Sequence, residues 1–176
     1  MKLPLRYFGH PDLRAQAKPV AEITPDIIQF VMDMIEAMVE HNGVGLAAPQ
    51  VGRRVRIFVF RDEILLPSGD YHLGEPKVAI NPVLSNPSKE TETAREGCLS
   101  VPGVYPEVVR PSKITIEYLN LKGEKIVEHL EGHRARVVMH ENDHLNGVLH
   151  IDRMAPRERK KILAQLQEIK RKYSKS

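Results

Sequence analysis

Tryptophan is absent from the 176 residues, phenylalanine and tyrosine together make up 5%, and there is one cysteine, Cys98. A single thiol excludes an intrachain disulfide and the disulfide-stapled class of small folds. No run of about 18 apolar residues occurs, which argues against a membrane-spanning helix. Met1-Lys2-Leu3-Pro4-Leu5-Arg6 lacks the longer apolar core of a signal peptide and is not the Arg- and Ser-rich leader of an organelle transit sequence. The expectation is a cytoplasmic chain without a membrane partner. Internal repeats, low-complexity tracts and domain linkers are also missing, so residues 1–176 are expected to form a single catalytic-sized domain.

What is present is ordinary for a globular protein, with 41% apolar and 28% charged residues. The net charge of +3 hides an asymmetry. Arg153 to Ser176 carry nine Lys or Arg against Glu158 and Glu168, whereas residues 1–152 are mildly acidic. A basic segment at 157–176 can touch nucleic acid or form a solvated helix face, but no aromatics are interleaved with it for base stacking.

Thr24-Pro25-Asp26 reads as a helix start, and Ile27, Ile28, Val31, Met34, Ile35, Met38 and Val39 follow at helical spacing until Asn42-Gly43. Gly43 to Gln50 is glycine-rich but is not a phosphate loop, since neither Gly-Lys-Ser/Thr nor a preceding strand accompanies it. Strands are expected at 55–60 and 77–84, the second broken at Asn81-Pro82, with a turn-rich excursion between them. Polar residues at 85–95 lead into Glu96-Gly97-Cys98-Leu99-Ser100. Residues 113–120 and 125–130 read as a hairpin, a helix is expected from Gly132 to about Leu145, and Pro156 opens a last amphipathic helix. The fold class is therefore α+β: antiparallel sheets packed around a central helix, with an N-terminal amphipathic helix and a C-terminal helix.

That central helix carries His140-Glu141-Asn142-Asp143-His144. Histidines four residues apart share one helix face and can grip one metal ion, and the intervening glutamate reaches a metal-bound water as general base. Two imidazoles leave the site one ligand short. Continuing to Gly147 and His150 completes a metzincin pattern, in which His140, His144 and His150 would make a zinc endopeptidase. The short stretch after His150 and the closeness of Met154 speak against it. The alternative third ligand is Cys98, whose thiolate suits zinc or ferrous iron.

Gly43-Val44-Gly45-Leu46-Ala47-Ala48-Pro49-Gln50, Glu96-Gly97-Cys98-Leu99-Ser100 and His140-Glu141-Asn142-Asp143-His144 together resemble the three signature motifs of the peptide deformylases. The likeness extends to Asp12-Leu13-Arg14, Lys18-Pro19-Val20 and Ile80-Asn81-Pro82 and so covers nearly the whole chain. The resemblance implies removal of the formyl group from the N-terminal formylmethionine of nascent polypeptides, with release of formate. It implies one divalent ion per chain, physiologically Fe2+ with Zn2+ or Ni2+ as substitutes, held by Cys98, His140 and His144. Metal-bound hydroxide would attack the formyl carbon, Glu141 would act as general base and then acid, and the Gln50 side chain with the Leu99 N–H would stabilise the oxyanion. Val44, Gly45, Glu96, Gly97, Tyr105, His133 and Val137 would line the peptide cleft, with His140 also bordering the methionine pocket. Glu96 is expected to be a structural partner, to Arg136. By the same resemblance, the basic C-terminal helix can contact ribosomal RNA, and DNA is not a partner. Met139, Tyr105, His133 and His150 depart from the family pattern. His150 is expected to pack in the turn after the helix.

Overall fold

The computed structural model describes residues 2–174. Lys175 and Ser176, the end of the expected basic segment, lie outside them. The first helix, α1 (Pro25–Glu40), begins as expected: Thr24 is extended, its hydroxyl accepts the Ile27 N–H at 3.2 Å, and Pro25 occupies the first turn. It ends where Asn42 takes a left-handed conformation (φ 55°) and the Gly43 N–H reaches back to the Met38 carbonyl at 2.9 Å. That is a Schellman-type stop built on Asn42, not on the glycine beside it.

Five strands form the main antiparallel sheet: β1 (Gly45–Ala47), β2 (Ile57–Phe60), β5 (Lys77–Ser85), β8 (Lys113–Leu119) and β9 (Lys125–Glu131), hydrogen-bonded in that order. β2 is buried at all four positions because both faces are covered. Ile57 and Val59 pack with Met34, Met38 and Val31 of α1. Phe58 and Phe60 face Val138 and Met139 of the second helix, α2 (His133–Leu145). The sheet thus separates two apolar clusters and presses α2 against the core. β8 shows the strict alternation that makes it legible, with Ile114, Ile116 and Tyr118 inward.

Four expectations need correction. β5 is not broken at Asn81-Pro82. It runs through with a register shift between Ile80 and Val83, Asn81 adopting φ 52° while its side chain bonds both the N–H and the carbonyl of Val20. The bulge removes the need for the N–H that proline lacks. The excursion contains a small hairpin, β3 (Glu63–Leu65) with β4 (Tyr71–Leu73). The polar stretch before Glu96 contains β6 (Thr91–Arg95), paired with β7 (Glu107–Pro111), so the Cys98 segment is the loop of a hairpin. The C-terminal helix is two helices, α3 (Pro156–Lys160) and α4 (Leu163–Tyr173). Arg159 ties the first to Asp152 and the Ile151 carbonyl, while the second turns to seat Leu166 and Ile169 in a third cluster with Leu13, Val101 and Ile151.

Candidate active site

α2 has an apolar side, made by Ala135, Val138, Met139 and Leu145, and this side is driven into the core beneath the sheet. The same burial carries His140, Glu141 and His144 inward, with Glu141 3% and His144 1% exposed. From the other direction the β6–β7 loop brings Cys98. The thiol and one ring nitrogen from each of His140 and His144 lie within 4.8 Å of one another, and Cys98 Sγ is 3.5 Å from His144 Nε2. This is the one such cluster among the described residues, and His150 is not in it. His150 is buried at the start of a 3-10 turn (His150–Arg153), its ring edge-on to His140 at 5.4 Å. Burial pushes its pKa down to about 3, which keeps it neutral.

His140 is oriented by Glu96, whose Oε1 lies 2.8 Å from its Nδ1, so its Nε2 faces the cluster. Glu96 is itself held by Arg110, through Nε at 2.6 Å and Nη2 at 2.9 Å, and by Arg136 Nη1 at 2.7 Å. Burial alone would raise the Glu96 pKa, but the bonds from His140 and Arg110 hold it well below the usual carboxylate range. The expected Glu96–Arg136 pair is present, yet Arg110 carries the larger share. Arg110 also bonds Asp143 at 3.0 Å, and Asp143 receives Arg153 at 2.6 and 2.7 Å. A continuous charged network therefore braces the α2 face that holds the imidazoles. Met139, by contrast, simply packs in the core. The signal for Arg110 was available in Val108-Val109-Arg110, where an arginine shares the inward face with Val108. It goes unread when β7 is not recognised as a strand.

Gln50 sits in a 3-10 turn (Ala48–Val51) and is 1% exposed. The Ala47 N–H donates to its Oε1 at 2.9 Å, which turns the amide nitrogen toward Ser100 Oγ at 3.0 Å and Cys98 Sγ at 3.7 Å. Leu99 follows Cys98 in a turn closed by the Val101 N–H bonding the Cys98 carbonyl at 3.0 Å. Gly45 lies against Glu141: a Cβ there would come within 2.8 Å of the Glu141 Cγ and Cδ. The close approach that demands glycine is thus made by the chain's own glutamate. Glu141 Oε2 has no hydrogen-bond partner, and burial raises the Glu141 pKa to about 7. His144 is driven the other way by burial, toward the neutral imidazole that can donate a lone pair.

Gly45, Gln50, Cys98, Leu99, His140 and Glu141 border a cavity of about 560 Å³, within the range of small-ligand sites. Val44, Gly45, Glu96, Gly97, Tyr105, His133 and Val137 all line it, although both carboxylate oxygens of Glu96 are already engaged. Tyr105 lies over Gly97, where a Cβ would meet its ring at 3.1 Å. Sequence reasoning missed Leu5, Tyr7, Pro102 and Tyr173, which also line the cavity. They come from the two chain ends and a loop, where no periodicity marks them.

Cys98, His140 and His144 offer a soft thiolate and two imidazoles, a donor set that fits Zn2+, Fe2+ or Ni2+. Residues 2–160 match the sequence profile of the family described as polypeptide deformylase. A peptide deformylase of Thermotoga maritima is 44% identical over 167 residues, covering 95% of this chain and 96% of its own length. Among solved structures, the Synechococcus elongatus peptide deformylase in complex with actinonin is similar at a TM-score of 0.80 and 37% identity, covering 99% of this chain and 87% of that one. The Ehrlichia chaffeensis peptide deformylase, also in complex with actinonin, is similar at 0.86 and 33%, with 97% of each chain covered.

Proposed function

The chain belongs to the peptide deformylase family, and on that premise we propose that it hydrolyses the formamide of N-formylmethionyl polypeptides as they are made, releasing formate. The observation that carries the reading is the juxtaposition of the Cys98, His140 and His144 donors with the buried Glu141 carboxyl, 3.9 Å from His140 Nε2, where Cys98, His140 and Glu141 border one cavity. Residues 1–176 are proposed to act as one catalytic domain in the cytoplasm. Among the described residues, no helix is long and apolar enough to cross a membrane.

Cys98, His140 and His144 are proposed to hold one divalent ion, Fe2+ in the cell, with Zn2+ or Ni2+ able to replace it. When bound, the ion supplies a water acidic enough to act at neutral pH and polarises the formyl oxygen. Glu141, buried beside the donor cluster, takes a proton from the attacking water and returns it to the leaving amine. Gln50 is fixed by Ala47 and Ser100, so its amide nitrogen stays aimed beside Cys98 as a donor for the developing oxyanion. The Leu99 N–H is proposed as the second donor, such donors being worth about 3 kcal/mol each. The extended peptide lies along Val44-Gly45 and Gly97, with the methionine side chain against Val44, His133 and Val137. Tyr105, exposed at the rim, covers the peptide beyond it.

Formate release from formyl-Met-Ala-Ser, measured anaerobically with metal content assayed, tests this directly. Cys98→Ala should lose both metal and turnover, whereas His150→Ala should keep them. Loss of metal from the His150 variant alone would favour an endopeptidase site instead. The exposed basic face of α3 and α4 is further proposed to contact ribosomal RNA. Ribosome binding should weaken with rising salt and vanish when Arg157, Lys160, Lys161 and Arg171 are all replaced by Glu. Unchanged cosedimentation of that variant would end this proposal.

A further inference from the structure

One wall of the cavity is built by residues that the hydrolysis does not use. Tyr7, in the N-terminal segment, and Tyr173, at the end of α4, stack face to face with ring centroids 3.7 Å apart and planes 11° from parallel. Both line the same cavity as Cys98, Gln50 and Glu141. Each is tethered to the loops that carry those groups. The Arg6 N–H bonds the Gln50 carbonyl at 2.6 Å and the Phe8 N–H bonds that of Ser100 at 2.9 Å. On α4, Gln165 Nε2 donates to the Gly103 carbonyl at 3.0 Å.

One face of the Tyr173 ring is covered by Tyr7. The Lys172 ammonium lies 5.3 Å from its centroid, over the face that remains. Both rings border the cavity and add an aromatic surface to its polar lining. Aromatic rings suit apolar side chains and pair with other rings edge to face or offset-stacked. The Gln50, His140 and Glu141 side chains are buried, while both tyrosines are half-buried, so the stack stands nearer the mouth of the cavity than those groups do. An extended peptide advances about 3.3 Å per residue. Its second and third residues reach the mouth when its formyl group lies beside Glu141.

We propose that the Tyr7–Tyr173 stack is a specificity wall for the residues that follow formylmethionine, favouring an apolar or aromatic side chain at the third position. This rests on the deformylase reading of the site. It makes the C-terminal helix part of the peptide cleft, acting on binding and not on the chemical step.

The test compares formyl-Met-Leu-Phe with formyl-methioninamide, which ends before the mouth, using the full-length, metal-loaded enzyme. Tyr7→Ala and Tyr173→Ala should each raise KM for the tripeptide about 3- to 10-fold, the effect of one aromatic contact. Under the same conditions kcat and the kinetics of formyl-methioninamide should stay as in the parent, and Tyr173→Phe should behave like the parent on both substrates. Equal losses on the two substrates would mean that the stack only supports the fold, and unchanged KM would mean that peptide does not touch it. Either result overturns the proposal. If the alanine variants do not fold, Tyr173→Leu takes their place, and a parental KM for the tripeptide in that variant is equally fatal. A parent enzyme that releases no formate from either substrate would instead remove the deformylase reading itself.

Discussion

Glu141 is a buried carboxylic acid at the cavity's edge, with one oxygen lacking any hydrogen-bond partner and Gly45 pressed against its side chain. Such a group burdens the fold whenever it is charged. Its folded pKa, raised to about 7, means that the folded state holds the proton more tightly than the unfolded chain does. Native stability is therefore given up as pH climbs from the ordinary carboxylate range, near 4.5, to about 7, and no further change follows above that. Glu141→Gln removes the charge while keeping the shape. After chelator treatment, the variant should match the parent in denaturant melts at pH 4.5 and exceed it by about 1–3 kcal/mol at pH 8. Formate release by the metal-loaded variant should fall about 10²- to 10⁴-fold. Equal stability at both pH values would mean that Glu141 is not the strained acid its burial indicates.

At the scale of elements, what the sequence revealed followed from which elements are amphipathic. α1, β8 and β9 alternate or repeat cleanly because one face meets the core and the other meets water, and the cap residues Thr24 and Pro25 mark the first helix. α2 is bounded by Gly132 and Asn146 and bears its histidines at a spacing only a helix would use. β6 reads as a polar loop because all five of its residues are exposed. It is a strand only through its pairing with β7, a tertiary cause that no local pattern records. The break between α3 and α4 falls in Arg159-Lys160-Lys161-Ile162, which contains neither glycine nor proline. Contacts with the 3-10 turn at His150–Arg153 make it. The candidate site divides along the same line. The proposed metal donors, Glu141 and Gln50 lie in short motifs whose chemistry is visible in one dimension. Arg153, Tyr7 and Tyr173 matter through tertiary partners, and nothing local distinguishes them from surface residues, while Arg110 stands out only once β7 is recognised as a strand.

For the whole molecule, the two chain ends close around the helix that carries the site. Besides the Tyr7–Tyr173 stack, Arg14 of the N-terminal 3-10 turn (Pro11–Arg14) grips Asp152 at 2.5 and 3.2 Å and bonds the Gly147 carbonyl at 3.1 Å. Gly147, at φ 73°, has no room for a side chain, since a Cβ would sit 2.7 Å from the Arg14 carbonyl oxygen. Asp152 also accepts the Leu149 N–H at 2.8 Å and Arg159 at 2.9 Å, so one carboxylate joins the N-terminal segment, the end of α2 and α3. Burial would raise its pKa, but the bonds from Arg14, Leu149 and Arg159 bring it down to about 2. A depressed folded value gives stability that is fully present above the unfolded carboxylate range, near 4, and is lost as pH falls toward 2. The pair is partly open to solvent, so screening limits its worth to about 1 kcal/mol. Asp152→Asn should accordingly melt below the parent at pH 7, the gap should narrow in high salt, and it should close as pH falls from 4 to 2. A gap that persists at pH 2 would place the loss in packing and not in charge. Because the clasp lies at the end of α2 beyond His144, the same variant should hold its metal less tightly in chelator competition at pH 7, even though Asp152 is not among the proposed ligands.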